Sequence, residues 1–273
     1  MTTKRDETDG ASEIRIEQRG ALGWITLNRP ARRNALTGTM LEAMLEGFAR
    51  VAADEDIGVV ILTGAEGAFC AGGDVKAMAE GTEFAAKGLE AKAADLRRVM
   101  ETSRLLHEMP KPTIAVVPGA AAGAGLSLAL ACDMRIASRS AKFATAFARV
   151  GYSGDFGGSY YLTNLVGTAK ARELYFTAEL LDAEAANRLG MINRLVDDDD
   201  LATATKELAE QLAAGPSIAY RYMKRNLNAA EHVTLGELLD IEAWGHTRCG
   251  GTEDHKEAAA AFVAKRAPVF KGR

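Results

Sequence analysis

Two short aliphatic runs, GVVILTG (58–64) and PTIAVVPG (112–119), are nearly free of polar residues and stop at glycine. A strand with one wet face alternates apolar and polar side chains, so unbroken runs of this length read as strands covered on both faces. The rest of the chain must supply that cover, which makes the fold class α/β.

The flanking segments fit. IRIEQRGALGWITLNRP (14–30) alternates on both sides of a glycine-containing turn, a hairpin pattern. Thr37 stands as a cap before LEAMLEGFARVAADE, whose apolar residues recur at three and four. An Ala-rich stretch at roughly 83–108 reads as helix, MRIAS (134–138) and MINRLV (191–196) as strands, and everything beyond about 201 as helices with polar connectors. The expected division is a frayed start (1–12), a core (13–200) and a helical C-terminal region (201–273). With 273 residues, 48% of them hydrophobic, the chain can bury a sizeable core.

Composition removes several function classes. A formal charge of −4 provides no basic field, so neither nucleic acid nor an anionic membrane is an expected partner, although a local pocket for a small anion is compatible with it. Cys70, Cys132 and Cys249 lack CxxC spacing, and His107, His232, His246 and His255 do not fall at metal-ligand intervals, so no metal site and no disulfide framework is expected. The acidic run at 197–200 reads as a solvated loop. The polar start has no apolar leader core, and no run approaches the roughly 18 apolar residues of a membrane span; a cytoplasmic protein is expected.

The stretch VPGAAAGAGLSLALACD (117–133) carries the chemistry. Gly119, Gly123 and Gly125 are spaced wrongly for a dinucleotide fingerprint. GLSLA nearly makes a nucleophile elbow, but Ser127 sits about ten residues past the strand end, inside an apolar helical run. Small residues from Ala120 to Gly125 let backbone approach a ligand, and the helix that follows points unsatisfied N–H groups and its positive end at it. A second glycine-rich segment, AFCAGGD (68–74), offers another donor. Two converging amides make an oxyanion hole; two tight packing turns remain the alternative.

LNRPARRNAL (27–36), GAFCAGGDVK (67–76), IAVVPGAAAGAGLSLALACDMRIAS (114–138) and FVAKRAPVF (262–270) resemble, in order and at matching spacing, four stretches of the enoyl-CoA hydratase/isomerase (crotonase) family. The resemblance implies a crotonase-like spiral of ββα units, a C-terminal helical trimerisation region, and a homotrimer or dimer of trimers acting on acyl-CoA. It implies no cofactor other than the coenzyme A of the substrate. The family's two thioester-binding amides match Gly73 and Ala124. Its two water-activating glutamates match Ser127 and Phe147, neither of which is a carboxylate base.

Asp155, in GYSGDFGGSYYL, matches an aspartate carried by family members that shift double bonds or rearrange ring-derived substrates. Aromatic neighbours Tyr152, Phe156, Tyr160 and Phe147 would desolvate it and raise its basicity; capping the helix that begins near Gly157 is its alternative role. The resemblance makes Arg32, Ala71, Asp74, Lys76, Ser127, Phe147, Tyr152, Phe262 and Lys265 substrate-contact candidates. An isomerase using Asp155 is the leading expectation. A hydratase with a non-standard base, a non-catalytic CoA-binding homologue and a serine hydrolase using Ser127 are the alternatives.

Overall fold

The computed structural model describes residues 12–79 and 88–273. The expected frayed residues 1–11, and the first part of the expected 83–108 helix, lie outside the described residues. β1 (Ile14–Arg19) and β2 (Leu22–Leu27) pair antiparallel as the hairpin. β3 (Val59–Gly64) and β4 (Thr113–Val117), the two aliphatic runs, extend this sheet in parallel. A second, three-stranded sheet holds β5 (Ala120–Ala122), β7 (Lys142–Ala144) and β8 (Leu181–Asp182). β6 (Met134–Ser138) and β9 (Arg194–Val196) complete the first sheet, whose order is β1-β2-β3-β4-β6-β9.

The helices are α1 (Gly38–Ala53), α2 (Val75–Ala79), α3 (Leu89–Val99), α4 (Glu101–Glu108), α5 (Ala124–Ala131), α6 (Gly158–Val166), α7 (Thr168–Thr177), α8 (Ala183–Arg188), α9 (Leu201–Ala213), α10 (Ser217–Ala230), α11 (Leu235–Gly250) and α12 (Glu253–Val263). Thr37 caps α1 by accepting from the Met40 N–H at 3.1 Å. Met40, Met44, Phe48 and Val51 form its buried stripe.

The aliphatic runs are unbroken because each face has its own cover. Val59, Ile61, Ile114 and Val116 pack with Leu201, Leu208 and Ala209 of α9. Val60, Leu62, Ala115 and Val117 point the other way, into the larger core shared with α1, α4 and α5. The helical C-terminal segment does begin at Leu201, but its first helix belongs to this core, so a division at 200 cuts through packed layers. α10 is also tied in: the buried Lys224 ammonium donates to Leu106 O (2.9 Å), Lys111 O (3.1 Å) and Asp133 (2.8 Å). α11 packs on α10, and α12 on α11.

One further expectation needs adjustment. MINRLV is a strand only from Arg194, because Met191 and Ile192 are core residues and the Asn193 side chain accepts from the Arg135 N–H at 2.8 Å. Buried Arg135 donates to the carbonyls of Cys132 (2.6 Å) and Met191 (2.7 Å), placing its cation at the C-terminal end of α5. Among the described residues, no helix is long and apolar enough to cross a membrane.

Candidate active site

The loop after β3 is held from beneath by Asn34, whose buried amide donates to Ala65 O (3.0 Å) and Ala68 O (2.9 Å). Cys70 then meets β5 as a strand neighbour: its N–H donates to Ala120 O at 3.0 Å, and Ala122 N–H returns to Cys70 O at 2.9 Å. These bonds lay residues 70–73 alongside 120–124. A Cβ on Gly72 would stand 2.9 Å from Ala122 O and 3.5 Å from Ala124 N. The backbone at Gly72 and Gly73 therefore runs close to Ala124, and among the described residues neither the Gly73 nor the Ala124 amide donates to a backbone carbonyl.

Ala124 is also the first residue of α5, whose eight residues are all buried. Its N–H is thus one of the unsatisfied donors at the positive end of a helix. Gly123 makes the entry with φ 53° and ψ −129°, which a side chain would strain. Gly125 lets the helix sit directly on the first loop, since a Cβ there would lie 2.4 Å from Cys70 O.

Asp155 comes from a bent loop in which Gly154 (φ 118°), Phe156 (φ 47°) and Gly157 (φ 71°) all have positive φ. Phe156 is buried in the core and anchors the loop. The cap role is not what the structure shows: the N-cap of α6 is Gly157 without a side-chain bond, and it is the Asp155 backbone carbonyl that accepts from Gly158 N–H (3.0 Å). Asp155 Oδ1 is buried with no hydrogen-bond partner among the described residues. Burial pushes the carboxyl up to about 6. Its charge reaches Cys70, the residue that bridges the two donor loops, and Cys70 is itself pushed up to about 12, mainly by burial. Asp155 thus lies close enough for its charge to act on the residue that joins the two glycine-rich loops.

A family model described as enoyl-CoA hydratase/isomerase matches residues 17–273. The chain belongs to the enoyl-CoA hydratase/isomerase family. It is 39% identical to the 1,2-epoxyphenylacetyl-CoA isomerase of Escherichia coli K12, covering 91% of this chain and 94% of that one. It is 33% identical to the short-chain-enoyl-CoA hydratase of Clostridium acetobutylicum, over 93% and 96% of the two chains. The crystal structure of an enoyl-CoA hydratase from Bacillus anthracis superposes with a TM-score of 0.88 at 30% identity, covering 96% of this chain and all of that one. The crotonase-like fold and an acyl-CoA enzyme are therefore shown.

In this member of the family, several expected contact residues make bonds within the protein. Asp74 pairs with Arg29 at 3.1 Å, and Arg29 also pairs with Glu13 at 2.8 Å, so the Asp74 carboxylate braces the loop that carries Gly73. Ala71 N–H donates to Arg33 O at 3.0 Å. Ser127 is 2% exposed and its hydroxyl donates back to Gly123 O at 3.3 Å; it is a wall residue inside α5, without the exposed elbow of a serine hydrolase. Arg32 and Lys76 are exposed on the two segments that flank the Gly73 loop. Phe262, 85% exposed, lies on α12, and Lys265 just beyond it.

The aromatic surroundings of Asp155 also differ from the expected set. Tyr152 is 58% exposed, and the Tyr160 hydroxyl donates to Glu231, away from the carboxyl. Phe147 is buried and stacks on Tyr175 of α7, with ring centroids 5.9 Å apart and planes 16° from parallel. Tyr175, absent from the expected residues, brings its Cε1 within 3.1 Å of where a Gly154 Cβ would stand. Burial, and then the charge of Asp155, pushes its phenol up to about 12.

Proposed function

We propose that this enzyme shifts a double bond, or rearranges an unsaturated, ring-derived acyl group, while that group is held as a coenzyme A thioester. The observation that carries the reading is the buried Asp155 carboxyl with an unpartnered oxygen, its charge reaching Cys70 between the two glycine-rich loops, in a chain with Ser127 and Phe147 in place of carboxylates. The thioester oxygen accepts from the N–H groups of Gly73 and Ala124. Asp155 removes a proton from the α or γ carbon, the electron pair moves into the conjugated enolate, and the carboxylic acid returns the proton at the other carbon. Nothing is gained or lost, so substrate and product have equal mass. The name of the 39% identical isomerase relative favours a ring-derived acyl group.

Arg32, Lys76, Phe262 and Lys265 are the proposed contacts for coenzyme A, the cations pairing with its phosphates. Apolar side chains exposed on the last three helices, among them Leu227, Leu235, Leu239, Trp244 and Phe262, are proposed to be covered by other copies in a cytoplasmic homotrimer or dimer of trimers.

The names of other relatives favour hydration as the second reading. A panel of acyl-CoAs followed by product mass separates the two. Isomerisation leaves mass unchanged, hydration adds water, hydrolysis frees coenzyme A, and a silent binder does none of these. Crotonyl-CoA hydration is expected to be slow or absent; hydration as fast as the best isomerisation would overturn the choice.

The base must be ionised to act. Exchange of substrate hydrogen in heavy water is therefore expected to rise through a midpoint at about 6 and level off above it, falling about tenfold per pH unit on the acid side. A profile flat from pH 4 to 8 would remove Asp155 as the base.

A further inference from the structure

Resting on Asp155 as the base, we infer that the stacked rings of Phe147 and Tyr175 form a water-excluding wall behind the carboxyl, and that this wall commits the enolate to proton return rather than water addition. Tyr175 acts through Asp155 and is thus a positioning residue. The wall stands where the resemblance would put a carboxylate, since Phe147 occupies that position and Tyr175 of α7 lies flat on its ring.

Two features make the wall tight. Gly123, Leu126, Ser127, Phe147, Gly158 and Tyr175 pack together with no room between them for a water molecule. The Tyr175 hydroxyl and Ser127 Oγ lie 2.8 and 2.2 Å from the point where a Gly158 Cβ would stand, so only glycine lets α6 close against them. Asp155 Oδ1, buried next to this packing, has no donor among the described residues. A water held against that oxygen would be the nucleophile that hydration needs.

The titratable groups facing the carboxyl are the Cys70 thiol and the Tyr175 phenol, both pushed up to about 12 and neutral while Asp155 titrates. From the neighbouring turn, Arg149 is engaged with Ala178 O at 2.7 Å, and from α6 the Tyr161 hydroxyl donates to Ser103 O at 3.4 Å. No cation among these groups competes with desolvation as the cause of the raised value.

The test measures heavy-water exchange against pH, together with product mass, for the full chain and its variants. Tyr175→Ala is expected to lower the exchange midpoint by about one pH unit or more, toward the ordinary carboxylate range, and to yield a product heavier by one water. Tyr175→Phe, which keeps the ring, is expected to restore the original midpoint. If Tyr175→Ala does not fold, Phe147→Ala opens the same wall from the opposite ring and carries the same expectation. An unmoved midpoint in the alanine variant, or an equal movement in Tyr175→Phe, overturns the wall. Exchange that survives Asp155→Asn overturns instead the base assignment beneath it, so the two failures are distinguishable.

Discussion

Replacing Asp155 by asparagine is expected to abolish hydrogen exchange and, at the same time, to stabilise the folded protein at neutral pH. The loss of exchange should be of order 10² to 10⁴, typical for removal of a general base. The gain in stability follows from the direction of the shift. The folded carboxyl titrates at about 6, above its ordinary value of 3.8, so protonation favours the fold. That contribution is complete below the ordinary value and is lost as the pH rises through about 6. At pH 8 the ionised group opposes folding by up to about 3 kcal/mol, two pH units' worth. Asparagine removes that opposition. Melting curves at pH 8 should shift up by several degrees in the variant, and curves at pH 4 should barely differ. A variant that is less stable at both pH values would identify a structural role, and retained exchange would remove the residue from the chemistry.

Ala124→Pro is expected to cost roughly two or more orders of magnitude in turnover by deleting one amide donor. The position can accept the ring. It is the first residue of α5, where proline's missing N–H disturbs no helical bond. The preceding Gly123, at φ 53° and ψ −129°, is in the mirror image of the extended conformation that residues before proline adopt. Ala124→Gly keeps the N–H and is the control, expected to turn over within a few-fold of the parent. Binding of the coenzyme A portion should survive both changes, so KM and kcat separate. Full turnover by a folded Ala124→Pro protein would show that this amide does not hold the thioester oxygen.

Much of the frame was legible because its signals are local. Unbroken aliphatic runs announced β3 and β4, Thr37 announced α1, and small residues announced the close approach of the two loops at Gly72 and Gly125. β5, β7 and β8 were not legible, since AAA, KFA and LD are too short to show a period. The site was read least well where contact depends on tertiary packing. Neighbours of Asp155 were chosen by closeness in sequence, yet Tyr160 is drawn to Glu231, and Tyr175 arrives from the next helix. Asp74 was a substrate-contact candidate by resemblance alone, and nothing local in the sequence announces that its carboxylate pairs with Arg29, distant along the chain. α9 was assigned to the C-terminal region by position, whereas its apolar stripe belongs to the sheet.

The two halves of the proposed chemistry depend differently on acid. Burial pushes the Arg135 guanidinium down from its very high ordinary value, yet it remains a cation, and it grips the last carbonyls of the helix whose first amide is the proposed oxyanion donor. With a lasting cation at one end of the helix and an amide that does not titrate at the other, nothing along α5 changes its charge as Asp155 takes up a proton. The acid limb of the rate should therefore follow a single proton, the one on Asp155, with the depth of the oxyanion well unchanged across it.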